Sequence, residues 1–198
     1  MEFATLTLPD NGKHNKKFGN NSHAYYYTNL DSTEKLIKYL FKQKKNRLVR
    51  LFGAYGVDMS STDNAIKQVK AIKRHFGKEG GRMMAHYILS IPYNICDNPF
   101  TVYQIAWDVI GQFFYGFQVI FAVHENTGPI KDRKNIHVHF VLNSVSALDG
   151  HKWCNNFSQF KDFKYEIEKL ANSYILDRDT YNMIYQIPTV SDDISILL

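Results

Sequence analysis

Two histidines lie close together in the stretch "NIHVHFVLNSV", residues 135–145, which otherwise consists mainly of strand-forming residues. Successive side chains of a β-strand alternate between its two faces, so His137 and His139 share one face and the apolar residues beside them take the other. Two imidazole rings on one face can direct their nitrogens at one point. The spacing therefore predicts a site where a metal ion could bind.

A third histidine, His124, lies at the end of the preceding apolar segment "QVIFAVHE". The polar segment "NTGPIKDRK" connects the two apolar segments, which predicts an antiparallel hairpin that brings His124 beside His137 and His139. Three neutral imidazoles leave coordination positions open and leave the ion's charge undiluted, so that the ion can polarise a phosphoryl oxygen. The alternative is that each histidine is an ordinary hydrogen-bonded residue of the core or surface.

Four segments have the apolar spacing of amphipathic helices. They are "DSTEKLIKYLFKQKK" at residues 31–45, "SSTDNAIKQVKAIKRHFGKEGG" at 60–81, "PFTVYQIAWDVIGQFFYGF" at 99–117 and "FSQFKDFKYEIEKLANSYI" at 157–175. The first segment opens with Asp31 and Glu34, a capping-box pattern. The second has a basic outer face and ends at Gly77.

Two further segments complete the predicted sheet. "RMMAHYILSIP", residues 82–92, predicts a strand that Pro92 stops, and "RLVRLFGAYGV", residues 47–57, predicts a strand or a turn of irregular structure. With the hairpin, these elements predict an α+β fold in which a central antiparallel β-sheet is covered by α-helices. The tail from Leu176 has no strong period.

Length and composition favour a single domain with a polyanionic partner. The chain has 198 residues, which fits one domain, and we predict a flexible basic N-terminal arm at 1–21 followed by one folded domain at 22–198. Lys and Arg number 24 against 19 for Asp and Glu, with a sequence pI of about 9.0. This charge balance is typical of proteins that bind nucleic acid, although many other proteins share it.

The sequence also argues against secreted and membrane classes. Cys96 and Cys154 match no metal or redox spacing, so we expect reduced thiols. No apolar run approaches the length of a membrane span, and the N-terminus has no signal-peptide pattern. We therefore expect a soluble, cytoplasmic protein without membrane insertion.

Three segments resemble motifs of one known family. "HVHFVLN", preceded by "FAVHENT", resembles the third motif of the relaxase/mobilisation nuclease family, in which H-x-D-T precedes H-x-H-x-x-x-N. "AHYILSIP" resembles the second motif, an H-Y-x-x-S-F-like strand, and "KLIKYLFK" resembles the first, a helix that carries a tyrosine. The three segments follow the family's order between Thr33 and Ile175.

The resemblance implies a relaxase-like fold of the His-hydrophobe-His (HUH) endonuclease class. Such a Mob-type conjugative relaxase nicks one DNA strand at the transfer origin of a plasmid or integrative conjugative element, and its tyrosine stays joined to the 5′ end. The motifs imply Tyr39 as the nucleophile, and His124, His137 and His139 as ligands of a divalent ion, Mg²⁺ or Mn²⁺. The triplet Tyr25, Tyr26 and Tyr27 provides competing nucleophiles.

The third motif departs from the family pattern at one position. Asn126 stands where the family usually has an aspartate that would orient a ligand or take the tyrosine proton. Glu125 could partly replace this carboxylate, although neighbours on a strand face opposite ways. We therefore include both residues with Tyr39 among the candidate catalytic residues.

The resemblance also implies DNA as the partner, single-stranded around the nick site, with accessory DNA-binding proteins and a coupling protein. The predicted DNA contacts are Ser90, Asn143, Lys42, Lys45, Arg47, Lys73 and Arg74. Two alternatives remain open from the sequence. One is a catalytically impaired DNA-binding protein of the same fold, and the other is a metal-dependent phosphoesterase that forms no covalent adduct.

Overall fold

The computed structural model describes residues 4–7, 30–44, 47–126, 135–153 and 157–186. Within these residues the chain forms a five-stranded sheet and five helices. The strands are β1 (Thr5–Thr7), β2 (Arg47–Tyr55), β3 (Met84–Pro92), β4 (Val119–Asn126) and β5 (Asn135–Asn143). The helices are α1 (Leu30–Leu40), α2 (Thr62–His75), α3 (Pro99–Phe113), α4 (Phe157–Ile175) and α5 (Arg178–Tyr185).

The sheet has the strand order β1-β3-β5-β4-β2, and every neighbouring pair is antiparallel. The β4–β5 hairpin predicted from the sequence is present and lies inside the sheet. Helices cover both faces, which confirms the predicted α+β class. None of the described helices is both long and apolar enough to cross a membrane.

The two faces of the sheet bury different cores. The face under α3 and α4 carries large rings, among them Tyr87, Phe121 and Phe140. The other face is covered by α1 and α2, whose aliphatic residues pack on Ile120, Ala122 and Val141. The three histidines lie on this second face, so their surroundings are set by α1 and α2.

Strand β2 changes phase where it pairs with β4. Val49 lies opposite His124 and Leu51 lies opposite Val123, so one extra residue, Arg50, forms a β-bulge. Arg47 and Val49 before the bulge, and Phe52 after it, therefore point to the histidine face.

The helix limits follow local sequence signals, with one correction. The Ser61 hydroxyl accepts a hydrogen bond from the Asn64 backbone N–H at the start of α2, and Gly77 just beyond its end has a φ of +62°. In α1 the predicted capping box is wrong, because the helix already begins at Leu30 and Asp31 lies in its first turn. A carboxylate there still favours the helix through the macrodipole.

The structure differs from the predicted flexible arm at residues 4–7. Thr5–Thr7 pairs with β3, and Leu6 is 1% exposed. Two side chains of α4 accept hydrogen bonds from this strand, Asn172 from the Ala4 N–H and Glu168 from the Leu6 N–H. Three residues are too short for a period to be visible in the sequence. The rest of the predicted arm lies outside the described residues, and the domain boundary stays a prediction.

Helix α2 does not present all its basic residues to solvent. Lys73 is fully buried, and its Nζ donates a hydrogen bond to Oδ1 of Asn143 at 2.5 Å. Nδ2 of Asn143, also fully buried, donates to Oε1 of Gln118 at 2.9 Å and to the Val69 carbonyl. This network joins α2 to the end of β5. Burial, with the nearby Lys152 and Lys70 charges, lowers the pKa of Lys73 to about 7.

The depressed pKa of Lys73 predicts a pH dependence of stability. A lysine in the unfolded chain titrates at about pH 10.4, so above pH 7 the unfolded chain binds more protons here than the folded protein. We predict that Lys73 makes the free energy of unfolding rise with pH between pH 7 and 9, by up to about 1.4 kcal/mol per unit.

Urea unfolding at pH 7, 8 and 9 checks this expectation. Lys73→Met should flatten the rise relative to the wild type, while Lys67→Met, at an exposed position of the same helix, should keep the wild-type slope. Parallel slopes for the wild type and Lys73→Met would show that the buried amine stays charged.

Candidate active site

The three predicted histidines converge. His124 lies directly opposite His137 in the β4–β5 register, and His139 lies one step further along the same face of β5. One nitrogen from each ring can be chosen such that the three atoms all lie within 4.8 Å of one another. The spatial arrangement predicted from the hairpin is therefore present.

The histidines leave three buried nitrogens without partners. Among the described residues, Nδ1 of His124, Nδ1 of His137 and Nε2 of His139 are buried and make no hydrogen bond. Leaving a polar atom buried and unpaired costs about 1–3 kcal/mol, so three in one place indicate a shared ligand. A cation that accepts three nitrogen lone pairs fits this arrangement.

Burial keeps these rings in the form that binds metals. It lowers the pKa of His124 to about 4 and that of His137 to about 3, and it lowers the pKa of His139 still further. Desolvation is the largest cause in each case, because it disfavours the charged imidazolium. The three imidazoles are therefore neutral at pH 7.

The end of α1 fixes the tautomer of His124. Its Nε2 lies 2.7 Å from the Leu40 carbonyl oxygen, which belongs to the last residue of α1. A carbonyl oxygen only accepts hydrogen bonds, so Nε2 carries the proton and Nδ1 keeps its lone pair. The contact also satisfies a carbonyl that the helix leaves without an intrahelical partner.

Tyr39 lies beside the histidines, as predicted. It is half-buried near the end of α1, and its ring meets that of His139 edge-on with centroids 5.7 Å apart. Its Oη accepts a hydrogen bond of 2.7 Å from Nη1 of Arg47. The competing Tyr25, Tyr26 and Tyr27 lie outside the described residues.

Arg47 belongs to this site and not to an exposed basic surface. It is 8% exposed, Nη2 donates to the Lys42 carbonyl at 3.0 Å, and Nε has no partner among the described residues. No described carboxylate forms an ion pair with it. The side chain predicted to contact DNA at the surface is therefore a buried positive charge, without a described carboxylate partner, that lies against the phenol.

Glu125 and Asn126, at the part of the third motif that differs from the family pattern, point to opposite faces of β4. Asn126 lies on the histidine face, and its amide donates to Oδ1 of Asn135, whose own amide donates to Oγ of Ser90. Glu125 points to the opposite face and forms an ion pair with Arg50. Strand alternation therefore keeps Glu125 away from the histidines, and this placement does not support the catalytic role predicted for it.

The remaining residues predicted to contact DNA differ in their exposure to solvent. Lys42 is exposed, and Arg74 is exposed but forms an ion pair with Glu79. Lys73 and Asn143 are fully buried in their shared network, so neither side chain lies on the surface as the predicted DNA contacts require. Lys45 lies outside the described residues.

One histidine of the site has no role assigned from the sequence. His86 on β3 lies on the same face of the sheet, and its Nε2 is 2.8 Å from Nδ1 of His139. Alternation along "AHYILSIP" places His86 on the same face as Ser90. This spacing could have indicated from the sequence that His86 lies near the site.

Comparison with known protein families identifies the class of this protein. A family model described as "Relaxase: MobA/VirD2-like, nuclease domain" matches residues 30–176. The chain belongs to this relaxase family, a family of DNA relaxases and mobilisation nucleases, which confirms the resemblance of the three motifs. One solved structure, from work titled "Molecular Basis of Vancomycin Resistance Transfer in Staphylococcus aureus", is similar over 64% of this chain and 70% of that chain, with 12% identity and a TM-score of 0.44. No curated protein matches the sequence.

The three unpartnered nitrogens predict that a divalent transition-metal ion stabilises the fold. At a free Mn²⁺ concentration of a hundred times the Kd, we expect a gain of about 2.7 kcal/mol in the free energy of unfolding. For a domain of this size that is a rise in Tm of roughly 5–10 °C.

Thermal unfolding with and without Mn²⁺ measures this rise. His137→Gln should lose most of it, while His75→Gln, at an exposed position on α2, should retain it. A wild-type protein whose Tm is unchanged by Mn²⁺, Co²⁺ and Zn²⁺ would contradict the metal assignment.

Proposed function

We propose that this chain is a relaxase that nicks one strand of origin-of-transfer DNA and becomes joined to its 5′ end through Tyr39. The observation that carries the proposal is the phenol of Tyr39 beside three buried imidazoles, each with an unpartnered nitrogen. The substrate and its accessory and coupling proteins would place the protein in the cytoplasm.

His124, His137 and His139 would hold a divalent ion, which when bound supplies positive charge to the scissile phosphate as a Lewis acid. Of the two predicted ions, this donor set favours Mn²⁺, because Mg²⁺ prefers oxygen ligands. His124 is held for this task by α1, the helix that also carries Tyr39.

The proposed reaction is a transesterification. The Tyr39 oxygen attacks phosphorus, an oxygen–phosphorus bond forms, and the bond from phosphorus to the 3′-oxygen breaks with its electron pair on that oxygen. The phenol loses one proton and the 3′-oxygen gains one. Because one phosphodiester replaces another, the strand can be rejoined by the reverse reaction.

Arg47 would stabilise the charge that develops on Tyr39. Its Nη1 already donates to the phenol oxygen at 2.7 Å, and a hydrogen bond from a cation strengthens as that oxygen becomes negative. Asn126 has an amide where a carboxylate could have taken the proton. We propose that in this chain the phenol proton passes to solvent water and that Arg47 stabilises the resulting phenolate.

The exposed residues around Tyr39 suit a single DNA strand. Lys42 and Lys44 are exposed just after α1, and Phe52 is 52% exposed and packs edge-on against Phe41. Each phosphate neutralised by a lysine would steepen the slope of the logarithm of the binding constant against the logarithm of the salt concentration by about 0.7. A base stacked on Phe52 would contribute about 1–3 kcal/mol.

Denaturing electrophoresis of the protein with a single-stranded origin oligonucleotide and Mn²⁺ tests the nucleophile. We expect a slowly migrating covalent adduct with the wild type and none with Tyr39→Phe, since phenylalanine has no oxygen to attack with. Tyr165→Phe, on the other side of the sheet, should form the adduct normally.

The other outcomes distinguish the alternatives. An adduct that survives Tyr39→Phe would transfer the role to Tyr25, Tyr26 or Tyr27. Cleavage without any adduct would indicate a phosphoesterase. Binding without cleavage would indicate a catalytically impaired DNA-binding protein.

A second prediction concerns Arg47. With Arg47→Gln we expect the single-turnover nicking rate to fall roughly 10²–10³-fold, the usual effect of removing a donor that stabilises a reacting oxyanion. Arg50→Gln, which lies at the bulge and faces away from the histidines, is the matched control and should nick at close to the wild-type rate. Nicking by Arg47→Gln at the wild-type rate, with unchanged Tm, would exclude the role.

A further inference from the structure

His86 lies next to the three histidines without being one of the converging set. It is 5% exposed on β3, and its Nε2 is directed at Nδ1 of His139, 2.8 Å away. The three nitrogens that converge belong to His124, His137 and His139. We propose that His86 is a positioning residue that fixes the tautomer of His139, so that Nε2 of His139 offers its lone pair to the metal ion. This inference rests on the proposed role of the three histidines as a metal site.

The argument depends on where one proton lies. A neutral imidazole carries a single ring proton, so only one of the two nitrogens in the His86–His139 contact can be the donor. If Nδ1 of His139 donates to His86, then Nε2 of His139 has a free lone pair. If His86 donates instead, Nε2 of His139 carries the proton and cannot bind a metal ion.

The surroundings favour the first arrangement. Nε2 of His139 is buried and has no hydrogen-bond partner among the described residues, so a proton there would be a buried donor without an acceptor. His124 is fixed in the corresponding way by the Leu40 carbonyl, which leaves its Nδ1 free. Two of the three ligands are thus oriented by acceptors from other elements, His124 by α1 and His139 by β3.

The position of His86 also links the metal site to the nucleophile. The Tyr39 ring packs edge-on against His86 and His139, with centroids 6.3 Å and 5.7 Å apart respectively. The two histidine rings themselves have centroids 5.0 Å apart. Any aromatic ring at position 86 therefore maintains the packing, whereas only a side chain with a hydrogen-bond acceptor maintains the tautomer of His139. Variants that keep the ring or keep the acceptor distinguish these two roles.

Calorimetric titration of the DNA-free protein with Mn²⁺ tests the proposal. His86→Phe keeps an aromatic ring and removes the acceptor, and we expect it to weaken Mn²⁺ binding by about 10–100-fold, the usual effect of losing such a hydrogen bond to a metal ligand. His86→Gln retains an acceptor oxygen and should recover part of that loss. His75→Phe, at an exposed position, should bind as the wild type does. Unchanged Mn²⁺ affinity in His86→Phe would overturn the proposal.

A measurement on the wild type avoids dependence on the folding of variants. Long-range ¹H–¹⁵N correlation spectra of the metal-free protein report which ring nitrogen of each histidine carries the proton. We expect the Nδ1–H tautomer for His139 and the Nε2–H tautomer for His124. An Nε2–H tautomer of His139 would overturn the proposal.

The two proposals can fail separately. Weakened metal binding in His86→Phe, together with a wild type that forms no DNA adduct, would keep the positioning role and remove the relaxase mechanism. A Tyr39-dependent adduct, together with full metal affinity in His86→Phe, would give the opposite result.

Discussion

The site depends on three converging imidazoles held inside the protein, each with one buried nitrogen that has no hydrogen-bond partner among the described residues. Burial is imposed by the neighbouring strands β4 and β5 and by α1 and α2 above them. This arrangement destabilises the folded protein when no metal ion is bound, because the buried nitrogens have lost their hydrogen bonds to water and form none with their apolar surroundings. The proposed metal ion would satisfy these nitrogens, and burial already keeps the histidine rings neutral.

Helix α1 couples the two halves of the proposed chemistry. Its apolar side, with Leu36, Ile37 and Leu40, anchors it to the sheet, and its last carbonyl holds His124. Tyr39 lies one residue before that carbonyl, so the phenol and the ligand are oriented by the same turn of backbone. A displacement of this helix end would disturb the phenol and the His124 ring together, because the same turn of backbone orients both.

Much of the fold could be predicted from the sequence, because its signals were long or strongly periodic. The α4 limits and the β4–β5 hairpin follow directly from apolar spacing, and the hairpin alone placed the three histidines together. The failures have identifiable physical reasons. Lys73 was assigned to a basic surface by its residue type, although it follows Ile66 and Val69 at helical spacing and therefore lies on the buried stripe. The burial of Arg47 depends on contacts with α1 that no local pattern reveals.

The β-bulge at Arg50 has a further consequence. Because the extra residue reverses the alternation of β2, the segment before it is out of phase with the segment after it. Deletion of Arg50 would remove the bulge but leave the register of both halves against β4 unchanged, so Arg47 and Phe52 would still point to the histidine face. The deletion would instead remove the ion pair of Arg50 with Glu125, together with the local bend and twist that a bulge gives a strand. The bulge lets two segments of opposite sequence parity present their side chains to one face, so strict alternation across residues 47–55 would assign one half of the strand to the wrong face.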